Sequence, residues 1–381
     1  MSNQIAQVGP AWSVWAQGED RRPWTLGVEE EAMLLDPGTW ALAHRIDEVL
    51  PRLPEEVQPQ VCAETHDSAV EVQTGICSDV ASAVDEIREL RRRLLGTLES
   101  LDLRAAVAGT HPFAVWHEIA VTGGDRYEFV HGSMRELARR EPTFALHVHV
   151  GVADPEAAIR VSDRIRVHLP VLLALSANSP FWQGRDSGLA SARTPLFQAF
   201  PRVGIPRAFG DYTAYVEAVD LLIRTEAIPD STFLWWDVRP QPALGTVEVR
   251  VMDAQTRCED TAALVALVAC LVKLEAEEGF AGDAAIAAPE VISENRFLAA
   301  RDGADAGLID PELDRRVPVA EIVADLLEAC RPHGEDIGCA AELAAIADLL
   351  ADPPAKRQIE TARDVPSLGG LVERLADRFV E

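Results

Sequence analysis

The sequence is short of the features that mark several common protein classes. Its six cysteines, Cys62, Cys77, Cys258, Cys270, Cys330 and Cys339, are spread over 381 residues without a CxxC pair. That is too few for a disulfide scaffold and the wrong spacing for a structural zinc site. No apolar run approaches the ~20 residues of a membrane-spanning helix. The first residues lack the basic start and apolar core of a signal peptide, so a cytoplasmic protein with reduced thiols is expected. Positive charge is scarce: 35 Lys and Arg stand against 62 Asp and Glu, a formal net charge of −27. Nucleic acid and anionic membrane surfaces are therefore poor partners, because both require a basic patch. There is no GxxxxGK[ST] and no GxGxxG, so neither a P-loop nor a Rossmann cradle is indicated. Repeats and low-complexity segments are absent as well.

What is present is a chain with 48% hydrophobic residues, enough for a sizeable core. Residues 1–22 read as a loose polar leader. Residues 23–381 read as one catalytic domain, strand-rich over 23–255 and helical over 256–381. Residues 79–103 carry apolar side chains at helical spacing behind Asp79, a suitable N-cap. A second helix is expected over 154–178, opened by Asp154 and Pro155. The alanine-rich helical tail has breaks at RPHGEDIG and ADPPAK, and it offers a surface for a homodimer.

Five strand-like stretches alternate polar and apolar residues with period two, which sends the two sets to opposite faces of a sheet. They are TLGVEEEAMLL, AVEVQTG, LHVHVGV, WWDVRP and TVEVRVMD. One face then carries Val28, Val70, Val72, Val148, Val150, Val247 and Val249 and packs on helices. The other carries Glu29, Glu31, Glu71, His147, His149, Asp237, Arg239, Glu248 and Arg250. Any one of these pairs on its own reads more readily as a solvated or cross-strand ion-paired face. An ordinary solvated face, however, favours Lys, Thr, Ser and Gln. A single surface crowded with Glu, His and Arg needs cations to offset the repulsion among its carboxylates. Hard oxygen donors with one or two imidazoles suit Mg²⁺ or Mn²⁺. Carboxylates beside arginines match a polyphosphate bridged by divalent ions.

The motifs TLGVEEE, EVQTGIC, GTHPFAVW, HVHVGV, ANSPFWQGRDSGLASAR, DVRPQPALGTVEVRVMD and ENRFLAARDGADAGLID occur in order from Trp24 to beyond Gln358. Together they resemble the carboxylate–amine ligase family, the bacterial glutamate–cysteine ligase type 2 proteins related in fold to glutamine synthetase. The resemblance implies an α+β fold: a curved antiparallel sheet forming a funnel-shaped active site, with helices packed outside. It implies Mg-ATP, phosphorylation of a substrate carboxylate such as that of glutamate, and displacement of phosphate by an amine such as cysteine. By the same resemblance, Glu29, Glu31, Glu64, Glu71, His147 and Glu248 correspond to metal ligands. His149 and Arg250 correspond to ATP contacts, Arg250 and Glu248 to the catalytic pair at the transferring phosphate, and Arg193 and Arg239 to anchors for the substrate. Glu64 lies seven residues before Glu71, an odd offset, so the THDS between them must bend if both serve one site. Ala145 and Leu146 stand where the family has Cys-Gly, and Ala32 stands where an aromatic is common; both departures fall on packing positions.

Three other readings fit parts of the pattern: the same mechanism with a different carboxylate or amine, a small-molecule phosphotransferase, and a metal-dependent hydrolase built on HxH. The last leaves Glu248 and Arg250 without a role. His111 suits either a substrate contact or a structural turn, and Asn178 and Ser179 suit either the amine pocket or a helix cap.

Overall fold

A computed structural model describes residues 9–18, 21–140 and 142–381. Seven strands form the main sheet: β1 (Leu26–Leu35), β2 (Val61–Ala63), β3 (Ala69–Gln73), β4 (Arg104–Ala106), β5 (Ala145–Gly151), β6 (Val238–Gln241) and β7 (Thr246–Asp253). Their spatial order is β6-β7-β5-β1-β3-β2, with β4 pairing the far end of β1. Every pairing is antiparallel. The architecture is the expected α+β fold, with helices covering one face of the sheet and the other face lining a funnel.

The helices that position the site are α1 (Val80–Glu99), α2 (Asp125–Met134), α3 (Pro155–Ile165), α4 (Leu169–Ser176), α5 (Arg193–Phe197), α6 (Cys258–Glu277), α7 (Pro289–Asp302) and α8 (Val319–Asp336). Helix α1 packs on β1 and β3, α6 on β5, and α3 and α4 on the β6–β7 side. Every residue of α6 from Ala263 to Glu275 is buried, as expected of a helix that is apolar all round. The apolar strand positions meet these helices. Val28, Val70, Val72, Val148, Val150, Val247 and Val249 are each at most 1% exposed. Burying such a side chain contributes roughly 1.5–3 kcal/mol relative to leaving it in water.

The expected caps are formed. The Asp79 carboxylate accepts from Ser82 N at 2.8 Å and Asp154 from Ala157 N at 2.9 Å. The stretch 154–178, however, is two helices. Pro170 lies in the first turn of the second, where its missing N–H costs nothing, whereas one continuous helix would lose that bond. Helix α8 runs through Pro332, so the break at RPHGEDIG comes only at its end, beside Gly338 with φ +73°. The helical tail also contains a hairpin, Gly307–Asp310 paired with Arg315–Pro318.

Of the stretch read as a leader, residues 1–8, 19 and 20 lie outside the described residues. Part of the remainder is packed. Trp15 is buried and its Nε1 donates to Val152 O at 3.1 Å, while Ala16 N donates to Pro242 O at 2.8 Å.

Glu30 points away from its two neighbours, into the sheet–helix interface. Both it and Arg91 of α1 are fully buried, joined by Nε to Oε1 at 2.6 Å and Nη2 to Oε2 at 2.5 Å. The remaining Arg91 donors meet the carbonyls of Gln255, Thr256 and Phe379, so the guanidinium ties α1 to the start of α6 and to the C-terminus. Removing one partner of such a pair strands a buried charge. Arg91→Met should therefore lower unfolding stability by about 3–5 kcal/mol in denaturant titrations. The double variant Arg91→Met with Glu30→Leu should recover most of that loss; a double variant no more stable than the single one would show that the ion pair is not the origin of the effect.

Candidate active site

The polar strand face opens on a cavity of about 210 Å³ lined by Glu29, Glu31, Glu64, Glu71, His147, Arg193, Arg239 and Arg250. The strand register explains the convergence. Glu29 lies opposite His147 and Gly27 opposite His149 across β1–β5, and Glu31 lies opposite Glu71 across β1–β3. Glu248 lies opposite His149 across β5–β7 and opposite Arg239 across β6–β7. His149 faces an adjoining cavity of about 180 Å³ that shares Glu29. Glu248 is fully buried beneath them, its Oε1 3.8 Å from His149 Nε2. Glu64 follows β2, and the bend at residues 65–68 lets it join Glu71 despite the odd offset.

The three consecutive glutamates thus have three different fates. Glu30 pairs with Arg91. Glu29 sits 3.0 Å from His147 Nδ1 and 3.2 Å from His149 Nε2. Burial alone would raise its carboxyl, but the His149 charge and the hydrogen bonds from both imidazoles hold it well below the usual range. Among the described residues, the Glu31 carboxylate accepts one hydrogen bond, from Ala145 N at 2.7 Å, with His147 Nε2 4.0 Å away. Burial, together with the charge of Glu64, pushes it up to about 8. Glu64 and Glu71 are also raised by burial, Glu71 further by Glu29 and Glu64, whose charges it faces. This carboxylate group is short of positive charge.

Three overlapping sets bring their donor atoms within 4.8 Å of one another: Glu29, His149 and Glu248; Glu29, Glu71 and His147; and Glu31, Glu64 and Glu71. Glu29 and Glu71 each belong to two sets. Buried, mostly oxygen donors suit hard divalent ions, and of these acids Glu248 is the one paired with arginines, Arg239 and Arg250. Burial and the nearby Arg250 charge push His147 down to about 4, which keeps the imidazole neutral and able to coordinate.

The arginines are held more tightly than their positions in sequence suggested. Arg239 grips Glu248 with Nε at 2.6 Å and Nη2 at 3.3 Å, and its Nη1 donates to the carbonyls of Leu234 and Thr232. Its donors are occupied within the protein. A register shift between Val249 and Met252 leaves Arg250 and Val251 together opposite His147, a β-bulge that aims Arg250 into the cavity. Arg250 also binds Glu248 through Nη1. Burial opposes its charge, but Glu248 and Glu29 hold it firmly protonated. The carbonyls freed by the bulge accept from Arg193, Val251 O at 3.1 Å and Arg250 O at 3.3 Å. Arg193 therefore braces the bulge as well as lining the cavity.

Asp237 does not line the cavity. Here the strand pattern breaks: Trp235–Trp236 pair with Val203–Gly204, and Asp237 turns to an ion pair with Arg296 at 2.6 Å. Sequence reading missed Arg126, a cavity-lining residue whose guanidinium lies over the Phe233 ring and donates to Thr232 Oγ1 at 3.2 Å. Its only mark in sequence is a single arginine in a short helix, which carries no signal. His111 is structural: Nδ1 accepts from Phe113 N and Ala114 N, and Nε2 donates to Trp40 O at 2.9 Å. Asn178 and Ser179 are buried as well. Ser179 Oγ and Asn178 N donate to Asp253, and Asn178 Nδ2 donates to Ala254 O.

The profile of Glutamate-cysteine ligase family 2 (GCS2) matches residues 25–372. The chain belongs to glutamate–cysteine ligase family 2. It is 41% identical over 329 residues to a Rubrobacter xylanophilus protein named "Putative glutamate--cysteine ligase 2-1", covering 86% of this chain and 87% of that one. It is 39% identical over 362 residues to "Putative glutamate--cysteine ligase 2" of Sorangium cellulosum, covering 93% and 96%. Among solved structures, glutamate–cysteine ligase of Francisella tularensis in complex with AMP superimposes with a TM-score of 0.71 at 13% identity, covering 94% of this chain and 89% of that one. A bifunctional glutathione synthetase from Pasteurella multocida gives 0.71 at 13% identity; the chain spans 52% of that longer protein. The fold is that of the glutamate–cysteine ligases, and this family 2 member is an enzyme of the carbon–nitrogen ligase type.

Two measurements probe the site. Millimolar Mg²⁺ or Mn²⁺ should raise the thermal midpoint by several degrees, because the ions bind only the folded arrangement. Combining Glu31→Gln with Glu71→Gln, which breaks two of the three sets, should sharply diminish the rise without lowering the midpoint in chelator; an undiminished rise would place divalent binding elsewhere. Burial holds His111 down to about 4 from its ordinary 6.5, so its contribution to stability is complete above pH 6.5 and is lost as pH falls toward 4. His111→Gln, which keeps an acceptor, should flatten the stability–pH curve over that interval in denaturant titrations.

Proposed function

We propose that this family 2 ligase joins the carboxylate of an amino acid, glutamate in the first instance, to the amino group of a second substrate, cysteine by family analogy, at the expense of ATP. The observation that carries the reading is the set of buried carboxylates bordered by Arg250 and Arg126: a charge pattern suited to divalent ions and a polyphosphate on one side and a carboxylate on the other. The ligand sets would be Glu29, His149 and Glu248; Glu29, Glu71 and His147; and Glu31, Glu64 and Glu71. Bound Mg²⁺ or Mn²⁺ would screen the phosphate oxygens from these acids and from the attacking carboxylate.

The chain's own residues supply the rest. An oxygen of the substrate carboxylate attacks the γ-phosphorus, the bond to the bridging oxygen breaks, and ADP leaves. Arg250, aimed by the bulge, offers a fixed cation to the transferring phosphoryl group. Arg239 and Gln241 hold Glu248, with Gln241 Nε2 2.7 Å from Oε2, so the acid keeps its orientation without moving during the reaction. Arg126 and Arg193 suit the substrate carboxylates. Val130, Met134, Phe197 and Phe200 wall the cavity with apolar surface, which suits the small side chain of an amine substrate and excludes water from the acyl phosphate. The amine nitrogen then attacks the acyl carbon, phosphate departs, and a proton is released from the nitrogen. The adjoining cavity, bordered by Gln73, Thr74, Ile76 and Leu244, suits the nucleoside end of ATP.

The test is ADP release with Mg-ATP, glutamate and a panel of amines, followed by mass measurement of the product. Amine-stimulated release with an amide product is expected, whereas release that ignores the amine would mark a phosphotransferase. Glu29→Gln and Arg250→Ala should each lower turnover at least 10²-fold, a magnitude typical of lost electrostatic stabilisation, with unchanged circular dichroism. Arg126→Ala should raise the glutamate KM more than it lowers kcat; the reverse split would remove Arg126 from substrate binding.

A further inference from the structure

Behind the wall that carries Arg193 lies a separate cleft of about 570 Å³ that the proposed reaction does not use. One side is the outer face of α5, with Thr194, Pro195 and Gln198. The other is α7, with Ser293, Arg296, Phe297 and Ala300, and the segment Val203–Arg207 closes it. Arg166, the residue after α3, lies at its floor.

Arg166 is 1% exposed and is among the largest fully buried side chains of the protein. Its Nε and Nη1 have no hydrogen-bond partner, and it forms no ion pair with any described residue. Asp163, whose charge acts on it, is committed elsewhere, accepting from Phe209 N at 2.9 Å and Gly210 N at 2.8 Å. The other buried arginines differ: Arg91 has Glu30 and three carbonyls, Arg193 has Asp253 and two carbonyls, and Arg239 has Glu248. A guanidinium cannot shed its charge by losing a proton at physiological pH. A buried one without a partner is therefore a standing cost that an anion from solution would remove. Two further cations border the same cleft. Among the described residues, Arg207 meets its neighbour's carbonyl and the Phe209 ring, and Arg296 keeps Nη1 on Gln198 Oε1.

We propose that this cleft is a second ligand site, for a small organic or inorganic anion. A carboxylate or phosphate meets Arg166 at the floor, and any apolar body lies on Phe297, Ile205 and Pro206. The site touches the catalytic machinery at two points. Thr194 adjoins Arg193, which braces the Arg250 bulge. Arg296 spans from the cleft to Asp237, whose carbonyl accepts from Arg250 N at 2.8 Å. An occupant that draws on Arg296 competes with the Asp237 carboxylate for it.

The experiment measures thermal midpoints of the full chain in a zwitterionic buffer, without nucleotide or divalent ion. Inorganic phosphate and succinate are titrated separately at constant ionic strength held with chloride. Wild type should gain several degrees with at least one of them, and the arm that responds identifies the acid group. Arg166→Met should match or exceed the wild-type midpoint in the absence of anion, because it removes an unpaired buried charge, and should lose the response. Ser293→Glu, on an exposed position of α7, should weaken the response at least tenfold while keeping the fold. Arg250→Ala should keep it, which separates this site from the catalytic cavity. A response that persists in Arg166→Met and Ser293→Glu, one lost in Arg250→Ala, or no response in wild type, would each overturn the proposal. None of these readouts depends on turnover, so they stand or fall apart from the ligase assignment.

Discussion

Like-charged carboxylates brought together out of water repel strongly, and much of this structure is an answer to that repulsion. Five acids from four separate segments, Glu29, Glu31, Glu64, Glu71 and Glu248, crowd one sheet face. The chain offsets them unevenly. Glu248 receives two arginines, a glutamine and a nearby imidazole, and stays fully ionised. Glu29 receives two imidazoles. Glu31, Glu64 and Glu71 receive single donors, Ala145 N, Thr65 N and Cys62 Sγ, and burial pushes all three upward. The gradient of compensation across the sheet is the physical content of the site. A fully paired cluster would be structural, and a fully unpaired one would not fold at neutral pH.

Rigidity behind the site follows from the same constraint. Asp253, at the end of β7, accepts from Asn178 N, Ser179 Oγ and Ser191 Oγ, and lies 3.7 Å from Arg193. A side chain at Gly109 would bring its Cβ within 2.6 Å of that carboxylate, so the close approach of this loop requires glycine. Asp253 thus joins the loop after β4, the segment after α4 and the bulge that aims Arg250. The residues that hold the reacting groups are themselves held by groups with no chemical part to play, as a site with fixed charges demands.

Much of this could be read from the chain because strand alternation is a strong local rule. ExE, ExQ, HxH and ExR each place two polar groups on one face whatever the partner strand is, and the structure brings those faces together. Sequence failed where alternation is broken. At Asp237 the strand divides and the carboxylate leaves for Arg296. At Arg250 a bulge adds a residue, and its freed carbonyls claim Arg193. Arg239 read as a substrate anchor because nothing local shows that Glu248 already occupies its fork. Arg126 was invisible because a helical arginine has no pattern of its own. The hairpin at 307–318 and the passage of α8 through Pro332 likewise depend on neighbours that the local pattern does not contain.

The sequence by itself determined which residues share a face, since that depends only on backbone period and the identity of each side chain. It thereby determined that acids, imidazoles and arginines would be displayed together and that the opposite face would be covered by helices. Only the tertiary structure decided which acid has a partner and which does not. That is a matter of distances between segments far apart in the chain, and of how much water remains between them. The same sequence position, three glutamates in a row, yields a buried ion pair, an imidazole-bound anion and a nearly neutral acid, because electrostatic energy is set by the surroundings of a charge and not by its place in the chain.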